Sequence, residues 1–166
     1  MGYLLGTRRG LAACATRAGH FTVLALDHRQ NLRRELRPDD PASVSYTEMV
    51  EFKLAVARAV APAASGILLD PEVGVAQAIV ADAIPAATGL IVALEATGYE
   101  GAATDRRSRV LPGWSVAAAK RIGVSAAKLL VYYHPDAPGA AAQEQLLADV
   151  AAACREQDLA LFIEPL

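Results

Sequence analysis

The sequence has few aromatic residues, few cysteines and no long apolar segment. Aromatic residues make up 5% of its 166 residues, and its two cysteines are Cys14 and Cys154. Cysteines so far apart do not form the disulfide framework of a small secreted domain, and they fit the apolar faces of helices. Arg, Asp, Glu or Pro interrupts every apolar run before the roughly 18 residues that a membrane span needs. We therefore expect a cytoplasmic protein with no membrane partner.

The sequence also lacks the usual signatures of metal and nucleotide sites. Its three histidines, His20, His28 and His134, are scattered, which argues against a zinc site. No Gly-x-Gly-x-x-Gly follows the first predicted strand, so a nucleotide cofactor is not expected. The net charge of −2 gives no reason to expect a nucleic-acid partner. We therefore expect a protein that uses no metal and no other cofactor.

Apolar segments of strand length alternate with segments of helical periodicity. This alternation predicts a parallel α/β fold of the (βα) TIM-barrel type. A complete barrel takes about 250 residues, so 166 residues predict a partial barrel with about the first five strands, as a single domain over residues 1–166. The predicted strands are 21–27, 66–70, 89–95, 127–133 and 159–164.

Several helices have recognisable ends. Ser45 and Glu48 form a capping-box pattern, which predicts a helix that starts there and ends at Pro62. A short helix over about 7–17 is expected to close the bottom of the barrel. Further helices are predicted through 75–83, from about 112 to 123, and along the apolar stripe 146–154.

Polar residues stand at or near the carboxyl ends of the predicted strands, where βα barrels carry their active sites. Strand alternation allows Asp27, Lys128 and Glu164 to point into the barrel together. Such charges are costly to bury unless they pair, and paired groups of this kind also tune proton transfer. The alternative interpretation is a buried structural ion-pair network.

Seven segments resemble the class I tagatose-1,6-bisphosphate aldolase family and the related sulfofructose-phosphate aldolases. In chain order they read LDHR, EFK, GILLDPEVG, EATGY, WSV, KLLVYY and FIE, at 26–29, 51–53, 66–74, 95–99, 114–116, 128–133 and 162–164. Their order and spacing match the family along almost the whole sequence. His28 departs from the pattern, because many members have Gln at that position.

The resemblance implies cleavage of a ketose bisphosphate, through a lysine iminium, to glycerone phosphate and glyceraldehyde 3-phosphate. It makes Glu164 the general acid/base, and it gives Asp27 the role of orienting or deprotonating a substrate hydroxyl. Lys128 would bind the substrate and lower the pKa of the nucleophilic lysine. The family's nucleophilic lysine belongs to strand six, and its phosphate-binding groups belong largely to strands seven and eight. Nucleophilic attack by Lys128 itself is the less favoured assignment, and Lys53 and Lys120 are expected on helix surfaces.

The predicted substrate-binding residues surround the same end of the barrel. Arg29 is expected to bind one phosphate of the substrate. Arg107 is expected to bind the second phosphate, and Arg106 and Arg109 are the alternatives. Asp70 either contacts substrate hydroxyls or starts the second helix. The full predicted set is Arg29, Asp70, Glu95, Tyr99, Arg107 and Tyr132, with Tyr99 lining the pocket.

Two hypotheses account for a partial barrel. In the first, the sequence is an incomplete aldolase whose partner is a missing C-terminal half, with little or no turnover from these residues alone. In the second, it is a noncatalytic half-barrel that binds sugar phosphates or self-associates. In both, a homo-oligomer can cover the open strand edges.

Overall fold

A computed structural model describes residues 4–166, which form one sheet of five parallel strands with helices between them. Each strand pairs in parallel with the next one along the chain. The elements, in order, are α1 (Leu5–Ala13), β1 (Val23–Leu26), α2 (Gln30–Leu36), α3 (Tyr46–Val60), β2 (Gly66–Leu69), α4 (Val75–Val80), β3 (Gly89–Ala93), α5 (Val116–Arg121), β4 (Ala126–Val131), α6 (Ala140–Glu156) and β5 (Ala160–Pro165).

The strand order β1-β2-β3-β4-β5 confirms the predicted barrel-type winding. A doubly wound sheet would instead reverse its strand order at a switch point. The sheet is curved, because the ring of Phe21, just before β1, lies 5.2 Å from that of Phe162 on β5, edge to face. Within residues 4–166, β1 pairs with β2 alone and β5 with β4 alone, so the arrangement is a partial barrel.

The two faces of the sheet have different neighbours. Alternate residues such as Ile67, Val92 and Leu129 are fully buried in the core under the helices. The opposite, concave face has a second, smaller cluster of apolar residues at its base, which includes Ile91 and Ala126. Lys128 follows Ala126 by two residues, so β4 directs its side chain to the concave face.

The helix α1 closes the base of this concave face, as the sequence predicts, although it begins two residues earlier and ends at Ala13. A Cβ at Gly10 would overlap the carbonyl oxygen of Ser125, so glycine allows α1 to lie directly against the chain before β4. The carboxylate of Asp158 accepts hydrogen bonds from the Gly6 and Thr7 backbone N–H groups, at 2.6 and 2.9 Å. These bonds satisfy donors that a helix N-terminus leaves free.

Local signals account for the starts of α3 and α5, each of which has a serine N-cap. The capping box of Ser45 and Glu48 is present at the start of α3, and a short 3-10 helix containing Pro62 follows its end. The helix α5 starts after its N-cap Ser115, later than the predicted 112, because Gly113 adopts a φ of 77° that is incompatible with a helix. The short helix α2 was not predicted.

Other sequence expectations concern cysteine and the membrane. Both cysteines are buried and free, and burial raises the pKa of each thiol to about 11. Within residues 4–166, no helix is long and apolar enough to cross a membrane.

The contact between Asp158 and α1 predicts a pH-dependent contribution to stability. The two backbone N–H bonds lower the pKa of the Asp158 carboxyl. A lowered folded-state pKa gives stability that is present above the unfolded value of about 3.9 and is lost as pH falls through the folded value. We expect Asp158→Asn to lower the urea midpoint at pH 7, and we expect its difference from the wild type to shrink below about pH 4.

Asp82→Asn is the matched control, because Asp82 shares the left-handed backbone of Asp158, with φ values of 46° and 47°. Its carboxylate caps no helix within residues 4–166. Urea titrations followed by circular dichroism from pH 2 to pH 7 measure both variants. Equal pH profiles for the two variants would contradict the assigned cap.

Candidate functional site

A cleft of about 650 Å³ opens on the concave face at the carboxyl ends of the strands. Its walls come from β1, β2, β4 and β5 and from the segments that follow β1, β3, β4 and β5. The lining includes both charged and apolar side chains. It consists of Ala25, Asp27, His28, Arg29, Gln30, Asn31, Arg34, Leu68, Glu95, Ala96, Thr97, Gly98, Tyr99, Lys128, Leu130, Tyr132, Glu164 and Leu166.

The Lys128 ammonium group lies at the centre of this cleft, between three carboxylates. Its Nζ is 2.9 Å from Asp27 Oδ2, 2.7 Å from Glu95 Oε1 and 2.7 Å from Glu164 Oε2. The structure therefore brings together the three residues that strand alternation directs inward, and it adds Glu95 from the end of β3. We call Asp27, Glu95, Lys128 and Glu164 the central cluster.

The members of the central cluster differ in their exposure to solvent. The side chains of Lys128 and Glu95 are 5% and 7% exposed, whereas that of Glu164 is 50% exposed. Glu95 is also fixed through its second oxygen, which accepts the backbone N–H of Leu130 at 3.1 Å. Glu164 is thus the carboxylate with the most access to a molecule in the cleft.

Electrostatics keep Lys128 protonated. Burial lowers the pKa of this ammonium group, but the charges of Glu95 and Asp27 and the hydrogen bonds to Glu164 and Glu95 outweigh burial and raise the pKa above its usual value. Three carboxylates around one ammonium leave an excess of negative charge when all four groups are ionised.

Arg29 lines the cleft, but its guanidinium group is already engaged. It donates to Glu72 Oε2 at 2.6 Å and to the Glu95 carbonyl oxygen at 2.9 Å. Its side chain is 10% exposed. Arg29 therefore ties the loop after β2 to the end of β3, and its availability to a phosphate group is limited.

Asp70 does not line the cleft, in contrast to its predicted contact with substrate hydroxyls. Its side chain is fully buried, forms an ion pair with Lys53, and accepts the backbone N–H groups of Glu72 and Val73 at 2.9 and 2.8 Å. This geometry matches the alternative interpretation, in which Asp70 organises the turn that leads into α4. Space is tight there, because a Cβ on Gly74 would lie 2.9 Å from Asp70 Oδ2.

The prediction that Lys53 lies on a helix surface is wrong. Its side chain is 2% exposed and pairs with Asp70 beneath the cleft. Burial lowers the pKa of the Lys53 ammonium group, and the charge of Asp70 opposes this change. The sequence did contain a signal, because Lys53 is four residues from both Met49 and Ala57, the buried residues of α3. The other expected surface lysine, Lys120, is partly buried and donates to the Asp158 carbonyl oxygen at 2.9 Å.

Tyr99 and Tyr132 both line the cleft, as predicted for Tyr99, and their rings contact each other edge to face at 5.5 Å. Arg107, predicted to bind the second phosphate, lies outside this lining, with its Nε 3.7 Å from Asp105 Oδ2. Arg106 is the loop arginine beside the cleft, with its guanidinium carbon 5.0 Å from the centre of the Tyr99 ring. The sequence alone did not separate Arg106 from its neighbours.

Comparisons with solved structures show the class of fold. An archaeal fructose 1,6-bisphosphate aldolase superposes with a TM-score of 0.61 at 23% identity, over 95% of this chain and 56% of that chain. A Schiff-base-forming fructose-1,6-bisphosphate aldolase gives a TM-score of 0.59 at 21% identity, over the same shares. At these identities the likeness establishes the βα-barrel type of fold.

Sequence comparisons show the family. The DeoC/LacD family aldolase profile matches residues 21–166. Tagatose 1,6-diphosphate aldolase 2 of Streptococcus mutans is 33% identical over 156 residues, which cover 93% of this chain and 46% of the relative. The tagatose 1,6-diphosphate aldolase of Lactococcus lactis subsp. lactis is 31% identical over 159 residues, covering 95% of this chain and 48% of the relative. The chain belongs to the DeoC/LacD aldolase family, and it spans about half the length of the curated relatives it matches.

The buried pair of Lys53 and Asp70 predicts a large effect on stability. Lys53→Met removes the cation and leaves the fully buried Asp70 carboxylate without its ion-pair partner. Removal of one partner of a buried pair costs about 3–5 kcal/mol. We expect that loss in the free energy of unfolding, measured by urea titration.

Asp70→Asn added to Lys53→Met should restore part of the loss, because an amide oxygen still accepts the two backbone N–H groups without an unpaired charge. Lys120→Met is the control at a less buried lysine, and it should cost about 1 kcal/mol or less. A loss below about 1 kcal/mol for Lys53→Met would show that the pair carries little stability.

Proposed function

We propose that this chain forms the general acid/base part of a class I aldolase that cleaves a ketose bisphosphate, such as tagatose 1,6-bisphosphate. The products are glycerone phosphate and glyceraldehyde 3-phosphate. The observation that carries the proposal is the central cluster, in which three carboxylates surround Lys128 at the carboxyl ends of the strands. Membership of the DeoC/LacD aldolase family supports it.

In this proposal, Lys128 binds and polarises the substrate and is not the nucleophile. A lysine must lose its proton before its nitrogen attacks a carbonyl group. The carboxylates of Asp27, Glu95 and Glu164 favour the protonated form of Lys128, and its raised pKa expresses this preference. A fixed ammonium group can instead donate a hydrogen bond to a substrate oxygen that replaces one of its carboxylate partners, and its charge can lower the pKa of a nearby amine.

The proposed nucleophile is a lysine on a sixth strand, outside residues 1–166, as the family resemblance implies. Lys53 is buried in its pair with Asp70, and Lys120 lies near the opposite end of the sheet, beside the α1 cap. The lysine iminium accepts the electron pair of the breaking carbon–carbon bond, so the reaction requires no metal or other cofactor.

Glu164 and Asp27 have complementary proposed roles. Glu164 is half exposed and lies 2.7 Å from the Lys128 ammonium group, so it can reach a substrate in the cleft and exchange a proton with it. We assign to it proton transfer during formation and dehydration of the carbinolamine. Asp27, 13% exposed, would orient or deprotonate a substrate hydroxyl.

We place this reaction in the cytoplasm, within a single domain, with a phosphorylated sugar as substrate and no nucleic-acid or membrane partner. The named activities of the relatives, which are aldolases of phosphorylated sugars, support this choice. Homo-oligomers remain our expectation for the assembly. The competing hypothesis is a noncatalytic half-barrel that binds sugar phosphates.

Borohydride trapping tests the role of Lys128. A purified polypeptide that contains residues 1–166 and the following strands is treated with glycerone phosphate and sodium borohydride, and its peptides are mapped by mass spectrometry. We expect one reduced triose phosphate adduct on a lysine outside residues 1–166, with Lys53, Lys120 and Lys128 unmodified. The L. lactis relative serves as the positive control for trapping.

An adduct on Lys128 would overturn the supporting role given to this residue. Binding of glycerone phosphate without any adduct, while the relative is trapped normally, would favour the noncatalytic half-barrel. The 166-residue chain alone should give no adduct and little or no turnover.

The assignment of Glu164 predicts a defect in turnover. In the same full-length polypeptide, we expect Glu164→Gln to lower kcat by about 10²–10⁴-fold, because an amide cannot exchange the proton. KM should change much less. Coupled assays of triose phosphate release measure both constants.

Glu144→Gln is the matched control, because Glu144 is exposed and bonds Tyr133 outside the cleft. It should leave kcat unchanged. A Glu164→Gln variant with full turnover would remove Glu164 from the mechanism.

A further inference from the structure

The excess negative charge of the central cluster disfavours binding of a phosphate group next to it. When all four groups are ionised, Asp27, Glu95 and Glu164 together carry more charge than Lys128 neutralises. A phosphate group is itself negatively charged, so the centre of the cleft repels it. Phosphate binding therefore requires a cation elsewhere along the cleft that is not already neutralised.

Three arginines around the cleft have a carboxylate partner, whereas Arg106 and Arg34, which lines the cleft and lies 3.4 Å from the neutral Asn31 Oδ1, have none within residues 4–166. Arg29 pairs with Glu72, Arg107 lies 3.7 Å from Asp105, and Arg109 Nε is 2.8 Å from Glu100 Oε1. A pair with a carboxylate offsets the positive charge that an incoming anion would meet. These three arginines are thus poor candidates for binding phosphate.

Arg106 differs from its neighbours, because no ion pair within residues 4–166 includes it. Its guanidinium carbon lies 5.0 Å from the centre of the Tyr99 ring and 5.7 Å from that of Tyr132. Both tyrosines line the cleft. Aromatic faces hold a guanidinium group by cation–π attraction without neutralising its charge, so its donors stay available.

The loop that carries Arg106 is fixed on both sides of this residue. Glu100 and Arg107 exchange two backbone hydrogen bonds, each of 2.9 Å. Ser108 is tied to the buried Gln143 by two further bonds, of 2.8 and 3.2 Å. A cation held in place by its loop loses little conformational freedom when an anion binds.

We propose that Arg106, held over Tyr99 and Tyr132, is the binding site for a phosphomonoester group of the substrate at the edge of the cleft. The proposal deepens the aldolase assignment and rests on it only for the identity of the sugar phosphate. The guanidinium group donates two hydrogen bonds to phosphate oxygens, and the reacting carbons extend from there toward the central cluster.

Isothermal titration calorimetry with inorganic phosphate and with glycerone phosphate tests this site in the purified protein. We expect Arg106→Gln to weaken binding of both ligands about 10–100-fold, the usual effect of losing a hydrogen-bonded charged partner. Arg106→Lys should fall between the wild type and Arg106→Gln, because it keeps the charge but not the paired donors.

Arg109→Gln is the matched control on the same loop, because Arg109 is exposed and paired with Glu100. It should change the affinity by no more than about fivefold. Thermal melts followed by circular dichroism should show that all variants remain folded.

Wild-type affinity in Arg106→Gln would overturn the proposal, as would a wild-type protein that binds neither ligand. A loss of affinity in Arg34→Gln but not in Arg106→Gln would also overturn it, because the anion would then bind beside α2. Loss of binding in Arg106→Gln, in a full-length protein that forms no borohydride adduct, would support this phosphate site and reject the aldolase mechanism.

Discussion

The ammonium group of Lys128 makes it possible to place three carboxylates on the concave face of one sheet. Asp27, Glu95 and Glu164 come from the ends of three different strands, and each lies within 2.9 Å of the Lys128 nitrogen. Without that cation, repulsion among the carboxylates would favour a wider cleft. The relative positions of β1, β3 and β5 at this edge are therefore linked through one side chain of β4.

The sequence predicted this convergence because it follows from strand alternation. Lys128 shares the concave face with Ala126, and Glu164 shares it with Phe162, so the period of two residues sets the direction of each charged group. Barrel-type winding then brings the carboxyl ends together. The alternation of strands and helices along the chain and the capping box of Ser45 and Glu48 were also predictable, because both depend on local sequence patterns.

Features that depend on contacts between distant segments were harder to predict. Lys53 belongs to α3, and a lysine on such a helix is expected to face solvent. Its burial is explained by the ion pair with Asp70, which is distant in sequence. The spacing of Lys53 from the buried Met49 and Ala57 indicated a buried position. The prediction followed instead the general rule that lysine side chains lie at the surface. The short α2 has weak periodicity, and its ends have no side-chain cap in the structure.

The arginine-rich loop after β3 shows why residue type does not identify a binding site. Arg106, Arg107 and Arg109 are near neighbours in sequence, yet two of them face carboxylates and one lies over two aromatic rings. These arginines have different partners because their side chains leave the loop on different sides. The antiparallel backbone pairing of Glu100 with Arg107 determines the side on which each one lies.

This arrangement separates two electrostatic requirements that conflict within one cleft. Proton transfer requires ionised carboxylates close to the reacting carbons, whereas phosphate binding requires positive charge that no carboxylate has neutralised. In the proposed aldolase, the central cluster meets the first requirement at the carboxyl ends of the strands. In the same proposal, the Arg106 guanidinium group, held over two aromatic rings, meets the second requirement on the loop, where the carboxylates of the central cluster do not pair with it. The two proposed functions are compatible because one uses the strand ends and the other uses the loop after β3.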